Sequence, residues 1–131
     1  MTPASGVRFL DPDMLIFMHA ELLARWGGDE GGGHRGEAGE GAEAAAQAVK
    51  NSYYDTIEEL AAAYAVYIVF LDGNKRTAAA ALATFMVGNG VELRLSDIEL
   101  FRAMLDLQQR SEQGERVDRL IVSLVALLEA P

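Results

Sequence analysis

The sequence predicts an all-α fold, a compact bundle of about six helices in a single domain spanning residues 1–131. Apolar residues recur at helical spacing along most of the chain. Two Ser/Thr-x-x-Glu capping boxes mark helix starts, at Thr56–Glu59 and Ser96–Glu99. Only Val91–Leu95 alternates in the manner of a strand.

The first helix opens at Asp11-Pro12, with Asp11 as cap and Pro12 where a missing N–H costs nothing. Leu15, Met18, His19, Leu22 and Leu23 continue it, and Gly27-Gly28 end it after Trp26. Residues 27–41 (GGDEGGGHRGEAGEG) carry no apolar side chain larger than alanine, so they are expected to form a mobile surface loop holding His34 and Arg35. They lack the GxxxxGK[ST] pattern of a phosphate-binding glycine loop.

Residues 42–50 suit a short helix, broken by Asn51-Ser52-Tyr53-Tyr54. From Thr56 to Leu71 the chain is apolar nearly all round and too long for a strand, which predicts a helix central to the core. A second apolar helix runs from Asn74 to Val87 and stops at Gly88-Asn89-Gly90. A helix follows from Ser96 to about Arg110, Gly114 turns the chain, and Val117, Leu120, Ile121, Leu124, Leu127 and Leu128 form the stripe of a last helix over about 115–129.

Composition excludes several functions. Eleven Lys and Arg against twenty Asp and Glu give a net charge of −9, and phosphate-backbone binding needs clustered cations, so no nucleic-acid partner is expected. The absence of cysteine excludes disulfides, Cys-based zinc and thiol nucleophiles. The start lacks a secretory pattern, and the longest apolar run, Leu60–Leu71, is shorter than the roughly 20 residues of a membrane span. No membrane partner is therefore expected, and a cytoplasmic location is.

The chemistry concentrates in Asp72-Gly73-Asn74-Lys75-Arg76-Thr77, between the two apolar helices. Gly73 lets the backbone turn, and the following helix presents unpaired N–H groups and the positive end of its dipole, an anion site before any side chain is counted. Lys75 and Arg76 suit phosphate oxygens and stand where the dipole disfavours cations, a local rule broken in the way functional sites break it. Asp72 beside bound phosphates suits Mg²⁺. A structural alternative stands beside this: Asp72 caps the helix, and Lys75 and Arg76 are solvated or paired with Glu58 or Glu59.

The segment Phe70-Leu71-Asp72-Gly73-Asn74-Lys75-Arg76-Thr77 resembles the signature of Fic and Doc proteins, HxFx[DN][GA]NKR in the Doc branch. The Trp26-Gly27-Gly28 break, the central helix pair and the Gly88-Asn89-Gly90-Val91 exit are also similar to a short Doc-type protein. The resemblance implies that Asp72 binds Mg²⁺, and that Gly73 and Asn74 cradle the phosphates of ATP, with Thr77 following in the same loop-to-helix segment. It further implies that Lys75 and Arg76 contact phosphates and that Phe70 anchors the loop in the core. Fic enzymes transfer AMP to a protein hydroxyl, whereas Doc toxins phosphorylate elongation factor Tu and pair with a small antitoxin.

The match departs at one position. Ile68 stands where the family has the His that takes the proton from the attacking hydroxyl. General-base help is worth ~10²–10⁴-fold, so phosphate binding is expected to persist with impaired catalysis, or as a non-catalytic nucleotide- or partner-binding pseudoenzyme. No substitute base is evident. His19 fits helix packing, His34 lies in the glycine-rich loop, and Tyr67 is turned ~100° from Ile68. Tyr53 and Tyr54 precede the central helix, where the family has a flap that docks its target; they fit a peptide contact or the edge of the core. Ser111-Glu112-Gln113-Gly114-Glu115 begins like the family's self-inhibitory motif, but Arg116 and the break at Gly114 make it an acidic turn.

Overall fold

The computed structural model describes residues 2–10, 13–14, 40–72 and 75–130. Five helices make up the described fold: α1 (Glu40–Lys50), α2 (Ile57–Asp72), α3 (Lys75–Gly88), α4 (Asp97–Glu112) and α5 (Val117–Glu129). Among the described residues no strand forms; the sole β-like pairing is an isolated bridge between Pro3 and Thr56. The all-α expectation holds. The first expected helix, 11–26, lies outside the described residues except for Asp13 and Met14, which are helical. The glycine-rich loop also lies outside them, except that Glu40 and Gly41 already belong to α1.

Helix α2 is the centre of the bundle and packs against all four other helices. Its first turn is capped as the sequence predicts: the Glu59 N–H donates to Thr56 Oγ1 at 3.1 Å, and the Thr56 N–H donates to Glu59 Oε1 at 3.2 Å. Leu60, Tyr64, Val66 and Ile68 are buried, as are Ala61, Ala62, Ala63 and Ala65. The alanines let neighbouring helices approach closely, and α3 answers with buried Ala78, Ala81, Leu82, Phe85 and Met86. Each large aliphatic side chain removed from water here is worth about 1.5–3 kcal/mol.

The chain from Thr2 to Leu10 straps across the starts and ends of these helices. The Ala4 N–H donates to the Asp55 carbonyl and the Ile57 N–H to that of Thr2, each at 2.8 Å. Glu58 is buried and accepts from the Thr2 N–H at 3.0 Å and the Thr2 hydroxyl at 3.1 Å. Asn89, in the turn after α3, clasps Arg8 through both its amide oxygen and its amide nitrogen. Gly90 there has φ +79°, a conformation that costs glycine little.

Val91–Leu95 crosses to α4 without pairing to any described strand. Ser96 caps α4 by accepting from the Glu99 N–H at 3.1 Å, while Glu99 accepts from the Ser96 N–H at 2.9 Å. The last helix starts two residues later than expected because Glu115 is held by Arg110, across the Gly114 turn, and Arg116 occupies the N-cap. That ion pair, with Asp106 and Ser123 also on Arg110, fixes the α4–α5 corner. Ser111 and Glu112 still belong to α4, and the turn expected there is confined to Gln113-Gly114, with Gly114 at φ +88°.

Candidate functional site

The end of α2 and the start of α3 meet at the Asp72–Lys75 junction. Asp72 closes α2 and Lys75 opens α3, while Gly73 and Asn74 lie outside the described residues. The first turn of α3 differs from its neighbours. Helices α2, α4 and α5 carry Glu58 and Glu59, Asp97 and Glu99, and Asp118 in their first turns, where negative charge complements the dipole. Helix α3 has no acid there and carries Lys75 and Arg76 instead.

Lys75 is only 9% exposed. Among the described residues no carboxylate pairs with it: Glu58 is taken by Thr2, Glu59 by Thr56, and the described ion pairs involve Arg110 and Arg116. No described ion pair includes Lys75. A buried ammonium at the positive end of a helix is doubly unfavourable unless an anion joins it. Thr77, two residues on, is buried and has a partner within the structure.

Arg76 is half-buried and engaged by a partner. It stands at the polar end of a cleft of about 450 Å³ between α3 and α4. Ala79, Ala80 and Ala83 line its α3 side, and Leu100 and Phe101 its α4 side, with Asp97 at the rim. The cleft has the size and apolar character of a small-ligand pocket, with Arg76 among its lining residues.

The other motif positions are arranged differently from expectation at one point. Ile68 is wholly buried, and Phe70 is 47% exposed. Phe70 does not anchor the junction in the core. Two residues along a helix turn the side chain by about 200°, so once Ile68 faces the interior Phe70 must face outward. Tyr67 is half-buried, and burial first, then the charges of Tyr53 and Asp118, raise its phenol above the ordinary value. His19, His34 and Arg35 lie outside the described residues.

Sequence reasoning missed two features. The burial of Lys75 depends on the packing of α3 against α2, which no local pattern encodes. The α3–α4 cleft is signalled only by the run of alanines after Thr77, which reads equally as ordinary helix former.

The family model described as Fic/DOC family matches residues 9–86, which span well over half of the chain and include the α2–α3 junction. The chain belongs to the Fic/DOC family. No curated protein and no solved structure matched it significantly. Membership supports a Fic-type fold, and the matched residues include the α2–α3 junction. No helix among the described residues is long and apolar enough to cross a membrane.

Proposed function

We propose that this Fic/DOC protein is Doc-like, binds the phosphates of a nucleotide triphosphate at the α2–α3 junction, and has lost most of its catalytic power. The observation that carries this reading is Lys75: a buried residue in the first turn of a helix that has no acid there, and a member of no described ion pair. Its charge is best accounted for by an anionic ligand. Arg76 extends the positive end toward the α3–α4 cleft, which has room for the part of the ligand that is not phosphate.

Asp72, Gly73 and Asn74 would complete the cradle with Lys75, Arg76 and Thr77. The site suits Mg²⁺ held by the single carboxylate of Asp72 together with phosphate oxygens, the usual manner for this ion. Bound there, Mg-ATP would supply the transferable phosphoryl or adenylyl group. The chain's own contribution is positioning and charge stabilisation by Lys75 and Arg76, which carries much of phosphoryl-transfer catalysis.

Proton removal from an attacking hydroxyl is the missing part. Ile68 is hydrocarbon, wholly buried, and cannot accept a proton. This supports impaired transfer, or a pseudoenzyme that binds nucleotide or a partner without turnover. The resemblance to Doc further suggests a cytoplasmic toxin-type module, a small antitoxin as partner and elongation factor Tu as target.

Thermal unfolding with and without Mg-ATP tests the reading. Millimolar Mg-ATP should raise Tm by ligand linkage, and the Lys75→Ala/Arg76→Ala variant should lose the shift. A Tm indifferent to every nucleotide would reduce the chain to a helical domain with an unused signature.

A further inference from the structure

The cleft between α3 and α4 begins at the start of α3, because Arg76 belongs to the first turn of that helix and also lines the cleft. Ala79, Ala80 and Ala83 form one wall along α3. Asp97 and Phe101, from the first two turns of α4, line the other. Four residues apart on a helix, those two side chains share a face. From Lys75 to Ala83 the helix rises by roughly 12 Å, at 1.5 Å per residue. That is the length of a nucleoside with its first phosphate, and the volume of about 450 Å³ falls in the range of small-ligand pockets.

The lining suits a flat heterocycle. Alanines leave a wall without branched side chains, and the half-buried Phe101 offers an aromatic surface on which any base can stack. Asp97 supplies the discrimination. It is exposed, and it belongs to no ion pair among the described residues. An ionised carboxylate only accepts hydrogen bonds and repels phosphate oxygens, so the base is the part of a nucleotide that it can meet. Guanine presents two adjacent donors, N1–H and the 2-amino group, which match the two carboxylate oxygens. Adenine and cytosine each present an amino donor beside a ring-nitrogen acceptor, which a carboxylate repels. Uracil presents a single N–H between two carbonyls.

We propose that the α3–α4 cleft is a base-binding subsite that selects guanine, with Phe101 as the stacking surface and Asp97 as the acceptor for N1–H and the 2-amino group. The proposal rests on the reading of the start of α3 as a phosphate site and names the nucleotide that this site takes best. Adenine nucleotides still bind through their phosphates, but more weakly.

Isothermal titration of the full chain with the Mg²⁺ complexes of tripolyphosphate, ATP, GTP and inosine triphosphate tests this. GTP should bind about five- to tenfold more tightly than ATP, the lower end of what a two-point contact to a base edge provides. Inosine triphosphate, which keeps N1–H and lacks the 2-amino group, should fall between them. Asp97→Asn should erase the preference for GTP over ATP. Ala80→Leu, which fills the cleft, should weaken both nucleotides by about fivefold or more. Tripolyphosphate should bind both variants as it binds the parent, which also shows that they are folded. Equal binding of ATP and GTP by the parent, a preference that survives Asp97→Asn, or nucleotide binding unmoved by Ala80→Leu would each overturn the guanine subsite while tripolyphosphate binding stands. A parent that binds neither tripolyphosphate nor any nucleotide would overturn the phosphate site itself, and this proposal with it.

Discussion

Ile68 and Phe70 stand two residues apart on α2, and the first is wholly buried while the second is 47% exposed. The helix is thus turned so that Ile68, where the resemblance to the Doc signature implies a proton acceptor, is buried in the core. A histidine placed there would be held neutral by its surroundings, the form a general base requires. Ile68→His should therefore lower stability, by about 1–3 kcal/mol for a poorly satisfied buried polar group. It should also raise nucleotide-dependent labelling of proteins in a bacterial extract by ~10²-fold or more over the parent. Melting curves and a radiolabelled-ATP assay check the two halves. Parent protein that already labels the extract as strongly as the variant would contradict impaired catalysis.

Lys75 is buried in the first turn of α3, where the helix dipole disfavours a cation. Lys75→Met keeps the length of the side chain and removes its charge. Without nucleotide the variant should melt higher than the parent, with a gain of about 1 kcal/mol or more from relieving a buried, dipole-opposed ammonium. It should at the same time lose the rise in Tm given by Mg-ATP. Calorimetric melting of both proteins, each with and without ligand, reads this crossed pattern. A variant less stable than the parent in the absence of ligand would mean that Lys75 is satisfied within the fold.

The Tyr64 hydroxyl joins the N-terminal segment to α2, accepting the Leu10 N–H at 2.8 Å and donating to the Leu10 carbonyl at 3.1 Å. Tyr64 and Leu10 are both buried. Tyr64→Phe leaves the Leu10 N–H and carbonyl without that partner, which should cost about 1–3 kcal/mol in denaturant unfolding. Hydrogen exchange at Leu10 should quicken in the same variant. An unchanged unfolding midpoint would show that segment 2–10 contributes nothing to the bundle.

Burial of Glu58 opposes its ionisation, but hydrogen bonds from the Thr2 N–H and hydroxyl outweigh that and hold its carboxyl below the usual glutamate value. A folded pKa below the unfolded one gives stability that is full above the unfolded value and is lost as pH falls through the folded one. Glu58→Gln should thus melt lower than the parent near neutral pH. The difference should shrink as pH drops below the ordinary glutamate range. Melting curves from pH 7 to pH 3 measure it, and a gap that widened on acidification would contradict the assignment.

The helices were legible because their signals are local. Thr56–Glu59 and Ser96–Glu99 close their hydrogen bonds within one turn, and the apolar run after Thr56 has no polar face to place at a surface. The candidate site was legible as a string of residue types at a helix join. Their orientation was not. Whether Ile68 or Phe70 faces inward is decided by how α2 is rotated against its four neighbours, a property of the assembled bundle. The burial of Lys75 is of the same kind: its charge was visible in the sequence, its burial only in the packing.

The most direct measurement is an isothermal titration of Mg-ATP into the parent protein and into Lys75→Met. The account predicts saturable, roughly stoichiometric binding to the parent and none to the variant. Failure of the parent to bind, or equal binding by both, would contradict a phosphate site built on the start of α3.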